Sequence, residues 1–246
     1  MFSKILIANR GEIAVRIIRA CNEMGIHTVA VYSEADAEAL HVSLADESYC
    51  IGPALLKDSY LNMTALIDVA IATGWQAIHP GYGLLSENPR FAELCEKCGI
   101  KFIGPHWSVI AKMGDKDEAR RTMKAAGVPV VPGLDEITDV AEAKKFASEI
   151  GHAVRTASAE AESAFGNGKC YLEKYLTDVK HVEMQIIADE QGSVVCLGER
   201  DCSMQRRNQK LIEESPCVTL KPEVRKQMME AAVLAAKTVN YTNLGT

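Results

Sequence analysis

The chain has 246 residues, 48% of them hydrophobic and 24% charged, with a formal net charge of −6. That profile suits a globular protein with one or two apolar cores, and a net negative chain is a poor general binder of nucleic acid. No apolar run approaches the roughly 18 residues needed to cross a bilayer.

The start, MFSKILIANRGE, passes directly into a strand pattern and reads as free of signal or transit character. The eight cysteines are scattered through strand and helix patterns, Cys21, Cys170 and Cys196 among them. This distribution predicts buried thiols in a reducing compartment, and hence a cytoplasmic address. Cys95 and Cys98 form a C-x-x-C pair inside a helical pattern, FAELCEKCGI, with no second pair at zinc-site spacing. It reads as a helix-surface coincidence.

Lys4–Ala8 is a short apolar run, and Glu12–Met24 carries apolar residues at helical spacing until Gly25 stops it. Thr28–Tyr32 is the next strand, so the first 32 residues make a βαβ unit and predict a parallel sheet. The alternation continues with a helix over Asn62–Ala72, a strand at Ala77–His79, a helix opened by Asn88 and Pro89, and a strand in KFIGP. The turn after the first strand, ANRGEIA, holds one glycine, and GYGLLS (Gly81–Ser86) has serine where a dinucleotide fingerprint needs its third glycine. A Rossmann dehydrogenase is therefore disfavoured.

From Pro105 the texture changes. Helical patterns at Lys116–Ala126 and Asp139–Ile150 flank GVPVVPG, whose prolines and glycines suit a junction. Beyond Lys169 the strands read as antiparallel: HVEMQIIA, a DEQG turn, then SVVCLGER. In HVEMQI, Val182, Met184 and Ile186 alternate with His181, Glu183 and Gln185, which gives one buried and one polar face. A long helix follows from Pro222 to Val239. The expected class is an α/β N-terminal domain with an open parallel sheet, followed by an incomplete α+β region. After ASEIGH, where a strand is due, AVRTASAEAESAF offers only small and polar residues. The chain also stops at YTNLGT where another strand is expected, so the sequence reads as incomplete.

The stretch RDCSMQRRNQKLIEESP gathers three arginines and a lysine in an acidic chain. Together with KILIANRGEIAVRIIRA, AIHPGYGLLSEN, FIGP, MGDK, AGVPVVPG, YLEKYL and HVEMQI, in that order, it resembles the biotin carboxylases, the ATP-grasp components of biotin-dependent carboxylases. The resemblance runs from Phe2 to about Glu214, interrupted near His152–Ala159, and continues more loosely to Thr246. It implies an N-terminal (pre-ATP-grasp) domain over 1–104, a helical linker over 105–132, an ATP-grasp lid subdomain over 133–176 without its glycine-rich loop, and the start of a C-terminal ATP-grasp subdomain over 177–246.

The activity implied is ATP-dependent carboxylation of biotin. Bicarbonate is activated as carboxyphosphate, and carbon dioxide passes to N1 of biotin on a biotin carboxyl carrier protein. This is the first half-reaction of acetyl-CoA carboxylase in fatty acid synthesis; the same module also begins pyruvate and propionyl-CoA carboxylases. ATP, Mg2+ or Mn2+, and carrier-bound biotin are the implied cofactors and substrates. Carboxyltransferase subunits and a homodimer are implied as partners, with Arg16 and Arg19 on the first helix as candidate interface residues.

By the same resemblance, Lys116 in MGDK reaches the nucleotide phosphates. Glu173, Lys174, Tyr175 and Leu176 form the adenine hinge, and His181 lies near the ribose. Gln205 and Asn208 stand beside the nucleotide, Asn208 where some members carry histidine. Lys210 is the catalytic lysine that contacts bicarbonate and the transferring phosphate, an ammonium suited to neutralising charge on the transferred group. Arg206 and Arg207 are expected to pair with Glu213 and Glu214, and Glu87 is a helix-start carboxylate. The chain departs from the family after IGH, where GHAVRTAS replaces a lysine and a glycine-rich phosphate lid, and no metal ligand can be named. Exactly as written, the 246 residues are expected not to turn over, which keeps an inactive fragment with only fold and dimer surface as an alternative.

Overall fold

The computed structural model describes residues 2–74, 76–131, 133–134, 172–173, 176–206 and 209–246. The chain divides into two compact units: residues 1–114 with 186–195 and 239–246, and residues 115–185 with 196–238. The expected helix over Asp139–Ile150 lies outside the described residues.

In the first unit, five strands run parallel in the order β3-β2-β1-β4-β5. They are β1 (Lys4–Ile7), β2 (His27–Tyr32), β3 (Glu47–Cys50), β4 (Ala77–His79) and β5 (Lys101–Phe102). Strand β1 sits centrally, and its period-2 alternation serves both faces. Ile5 and Ile7 join one core with Ala14, Ile17, Ile18 and Cys21 of helix α1 (Gly11–Glu23). Leu6 and Ala8 join the other core, with Val29, Val31, Tyr60, Ile78 and Phe91. The buried positions of α1 repeat at intervals of three and four, as an amphipathic helix requires. Gly25, at a φ of +68°, ends the helix, and the Ile26 N–H closes back on the Cys21 carbonyl at 2.9 Å.

Helix α2 (Leu40–Leu44) and edge strand β3 were not legible as elements; α3 (Met63–Thr73) and α4 (Pro89–Lys97) were. Asn62 and Asn88 cap these last two helices, accepting from the backbone N–H of Ala65 and Phe91. Helix α5 (Trp107–Gly114) completes this run.

The crevice outside the carboxyl ends of β1 and β4 is the switch point at which a doubly wound sheet holds a dinucleotide. Here it is closed. The Asn9 amide donates to the carbonyls of Pro80 and Tyr82 at 2.8 and 2.9 Å. A Cβ on Gly81 would stand 2.6 Å from Asn9 Nδ2 and 2.8 Å from Ile13 Cγ2. The glycines of GYGLLS thus serve close packing and a left-handed turn, with φ of +69° at Gly81.

The cysteines correct one expectation. Cys21 and Cys95 are buried, but Cys50 and Cys98 are exposed and Cys196 is half-buried; Cys170 lies outside the described residues. Burial, with Cys98 nearby, pushes the Cys95 thiol up to about 12, so this C-x-x-C has an inert first member.

The second unit begins with α6 (Lys116–Ala125), capped by Asp115, and includes α7 (Pro222–Thr238). The short strands β6 (Gly133–Leu134) and β7 (Leu172–Glu173) pair antiparallel. A four-stranded sheet has the order β10-β9-β8-β11, from β8 (Val182–Ala188), β9 (Val194–Arg206), β10 (Gln209–Glu214) and β11 (Asn243–Gly245); its residues 186–195 and β11 belong to the first unit. Strand β9 runs 13 residues, well past the expected SVVCLGER. In the turn before it, Asp189 Oδ1 accepts from the N–H of Gln191 and Ser193.

Candidate functional site: a charged face on an antiparallel sheet

Met184 and Ile186 of β8 are buried, as the alternation required, so His181, Glu183 and Gln185 share the opposite face. On β9, Arg200 and Cys202 present to the same face. Strand β10 would place residues 210 and 213 on opposite sides if it were regular. Its register against β9 shifts twice, between the pairs Lys210↔Gln205, Ile212↔Met204 and Glu214↔Asp201. Such irregularities re-aim side chains, and here both Lys210 and Glu213 reach the polar face.

Glu183 is the hub. One oxygen, Oε1, accepts from the Lys210 ammonium and lies 3.1 Å from His181 Nε2. The other, Oε2, accepts from Arg200 Nη2 at 3.3 Å. Arg200 also donates through Nη1 to Gln185 Oε1 at 2.7 Å, and its Nε pairs with Glu213 Oε2 at 3.7 Å. The Cys202 thiol donates to Glu213 Oε1 at 3.4 Å.

Electrostatics follow from these partners. Burial is the largest influence on Glu183 and would raise its carboxyl. The bonds from Lys210, His181 and Arg200 overcome it and hold the group below the usual carboxylate range. Glu183 in turn holds the Lys210 ammonium above the ordinary lysine value. Burial, then the Glu213 carboxylate, push the Cys202 thiol up. Lys210 is about one-third exposed, and an ammonium has three donors, so it can bind a small anion while still held by Glu183.

The other expected site residues are placed as follows. Lys116 opens α6 and is exposed. Glu173 lies in β7, paired with Gly133, and Leu176 is exposed just beyond. Gln205 donates to the Cys202 carbonyl of its own strand at 2.9 Å. Lys174, Tyr175 and Asn208 lie outside the described residues, as does Arg207. Glu213 pairs with Arg200; the expected pairing through Arg207 lies outside the described residues. Glu183 and Arg200 were not singled out from sequence; period-2 spacing from His181 was the only signal for Glu183.

Among the described residues, Glu183, Cys202 and Glu213 bring ligand atoms within 4.8 Å of one another. This set does not fit magnesium, which demands an octahedron of oxygens. One donor is a thiol, and both carboxylates already face cations.

The family descriptions decide the kinship. "Biotin carboxylase, N-terminal domain" matches residues 1–110, and "Carbamoyl-phosphate synthase L chain, ATP binding domain" matches residues 149–246. Biotin carboxylase 1 of Bacillus subtilis is 55% identical across the whole chain. The chain belongs to the biotin carboxylase family. A biotin carboxylase–β-γ-ATP complex from Campylobacter jejuni superposes with a TM-score of 0.95 at 45% identity, over 99% of this chain and 61% of that one. The 2-oxoglutarate carboxylase small subunit of Hydrogenobacter thermophilus is 50% identical over all of this chain and 58% of its own length. The chain thus spans about three-fifths of these biotin carboxylase relatives; it covers 61% of the Bacillus subtilis protein. That alignment occupies 273 positions against 246 residues here, a difference of 27 positions with no counterpart in this chain.

Proposed function

We propose that this chain belongs to an ATP-dependent biotin carboxylase that activates bicarbonate as carboxyphosphate and passes the carboxyl group to N1 of carrier-bound biotin. The observation that carries the reading is the convergence of Lys210, Arg200 and His181 on Glu183. It leaves an oriented ammonium at the mouth of a charged face. In this reading Lys210 contacts bicarbonate and the transferred phosphate, and His181 and Gln205 border the nucleotide, with Asn208 beside them in the sequence. Lys116 reaches the phosphates, while Glu173, Lys174, Tyr175 and Leu176 hold the adenine. A preorganised cation of this kind stabilises charge on the transferred group without reorganising at the moment of reaction. Magnesium accompanies the nucleotide in this reading, but no step is assigned to it. A relative's structure is described as a dimer with MgADP and bicarbonate.

The acyl acceptor is proposed to be acetyl-CoA, through separate carboxyltransferase and biotin carrier partners, with a homodimer as the working assembly. The relatives also include a pyruvate carboxylase subunit at 49% identity, which supports the alternative acceptor as well. The seven described cysteines are all free, which supports a reducing, cytoplasmic compartment. A second reading, a fold-retaining protein without turnover, is favoured by the 27 positions that have no counterpart here.

Calorimetric titration of the chain with ATP tests the proposal. Binding that K210A weakens about tenfold, the equivalent of one charge-assisted hydrogen bond, supports it. A chain that binds neither ATP nor ADP overturns it.

A further inference from the structure

Arg200 stands on β9, between the two strands that carry the carboxylates of the charged face, and it touches both. Its guanidinium takes Glu183 through Oε2 and Glu213 through Oε2. The opposite oxygens of those two carboxylates are the ones that face Lys210, His181 and the Cys202 thiol. A third contact, Nη1 to Gln185 Oε1 at 2.7 Å, fixes the plane of the fork against β8. The arrangement divides labour between the two edges of each carboxylate, one for the clamp and one for the functional group.

We propose that Arg200 is a positioning residue: a single planar clamp that aims Glu183 at Lys210 and Glu213 at Cys202. Lysine cannot replace it. A point-like ammonium keeps the charge but cannot hold three acceptors on two flanking strands in one plane. R200K therefore separates geometry from charge. Arg200 touches no substrate in this account; it acts through the two glutamates. Its effect on nucleotide rests on the reading of Lys210 given above, whereas its effect on Cys202 does not.

Two measurements on the full chain test the clamp. The first is the rate of Cys202 modification by methyl methanethiosulfonate, followed by peptide mass spectrometry, with Cys217 as the internal reference. Cys217 is equally buried but bonds to Asp201 and Thr219, away from the clamp. R200K and E213Q are each expected to speed modification of Cys202 at least threefold and to leave Cys217 unchanged. The double variant should be no faster than E213Q alone, since Arg200 acts there through Glu213. Equal acceleration of both thiols, multiplying effects, or no change in R200K would overturn the proposal, the first because it marks general loosening.

The second measurement is ATP affinity in R200K, K210A and the double variant. The expected result is a loss in R200K that vanishes once Lys210 is gone; additive losses would overturn the part of the clamp that works through Glu183. If the unaltered chain binds no ATP, the proposed function fails on its own, and the Cys202 rates still decide the clamp.

Discussion

Arg225 and Glu199 form an ion pair in which the carboxylate is almost wholly enclosed. The Arg225 Nε donates to Glu199 Oε1 at 2.8 Å, and only 3% of the Glu199 side chain is exposed. The same carboxylate accepts from the Cys217 N–H at 3.3 Å, and Arg225 Nη2 donates to the Cys217 carbonyl at 3.1 Å. The first turn of α7 is thereby tied to β9 and to the segment that follows β10. Removing the arginine leaves a buried charge with one neutral donor. R225A is expected to destabilise by about 3 kcal/mol. E199Q keeps an acceptor for both partners and should cost about 1–2 kcal/mol. Urea unfolding of the two variants checks the order, and R225A proving the milder change would contradict it.

The closed crevice of the parallel sheet makes a sharper demand on Gly81. An alanine there meets Asn9 and Ile13 inside normal contact distance, with the backbone already left-handed. G81A should cost about 2–4 kcal/mol, combining left-handed strain with overpacking. G83A, with open space around the new Cβ, should cost only the strain, about 1–2 kcal/mol. Equal losses in the two variants would show that Asn9 yields without cost.

Acid should weaken the first unit through two poorly hydrated histidines, His41 buried and His79 half-buried. His41 is fully enclosed, with Nε2 3.3 Å from the Val31 carbonyl, and burial lowers its proton affinity despite the Val31 bond and nearby Asp36. Burial lowers His79 in the same way. Near neutral pH both are uncharged, folded or unfolded. Below about 6.5 the unfolded chain takes up protons that the folded chain refuses, so stability falls as pH falls, until the folded values are passed. Urea midpoints measured between about pH 5 and 8 should therefore drop on the acid side. H41Q should flatten that slope; a slope unchanged by it would exclude His41 as a source.

The missing 27 positions bear on turnover. The 246-residue chain should release no phosphate from ATP in response to bicarbonate. The proposed reading puts a glycine-rich phosphate lid after the IGH string; inserting a relative's segment there should tighten ATP binding, because backbone N–H groups of such a loop cradle phosphates. Bicarbonate-dependent phosphate release by the unaltered chain would show that those positions are dispensable.

Much of the first unit was legible because its signals are local. The spacing of Ile13, Ile17 and Ile18 writes the face of α1, and Asn62 and Asn88 announce helix starts that the structure honours. Edge strand β3 was not legible, since ESYC carries neither an apolar run nor an alternation that separates two faces. At the charged face, motif resemblance pointed to Lys210 and His181, and alternation along β8 oriented the polar side. Glu183 and Arg200 stayed hidden because their roles come from register between strands distant in sequence. The pairing of Glu213 with Arg200 depends on two register shifts that no single strand encodes.

Those shifts also limit how this region can vary. Lys210 and Glu213 share a face only because β9 and β10 run out of step, so chain length is as constrained there as residue identity. Loss of one residue between Lys210 and Glu213 removes the residue that those shifts accommodate, so the pairing of β10 with β9 would have to be rebuilt even with every charge retained. The turn at Asp189–Gly192 joins β8 to β9 outside the stretch from Lys210 to Glu213, so it can lengthen without disturbing that count. Insertions should therefore be tolerated in the β8–β9 turn and rejected between Lys210 and Glu213.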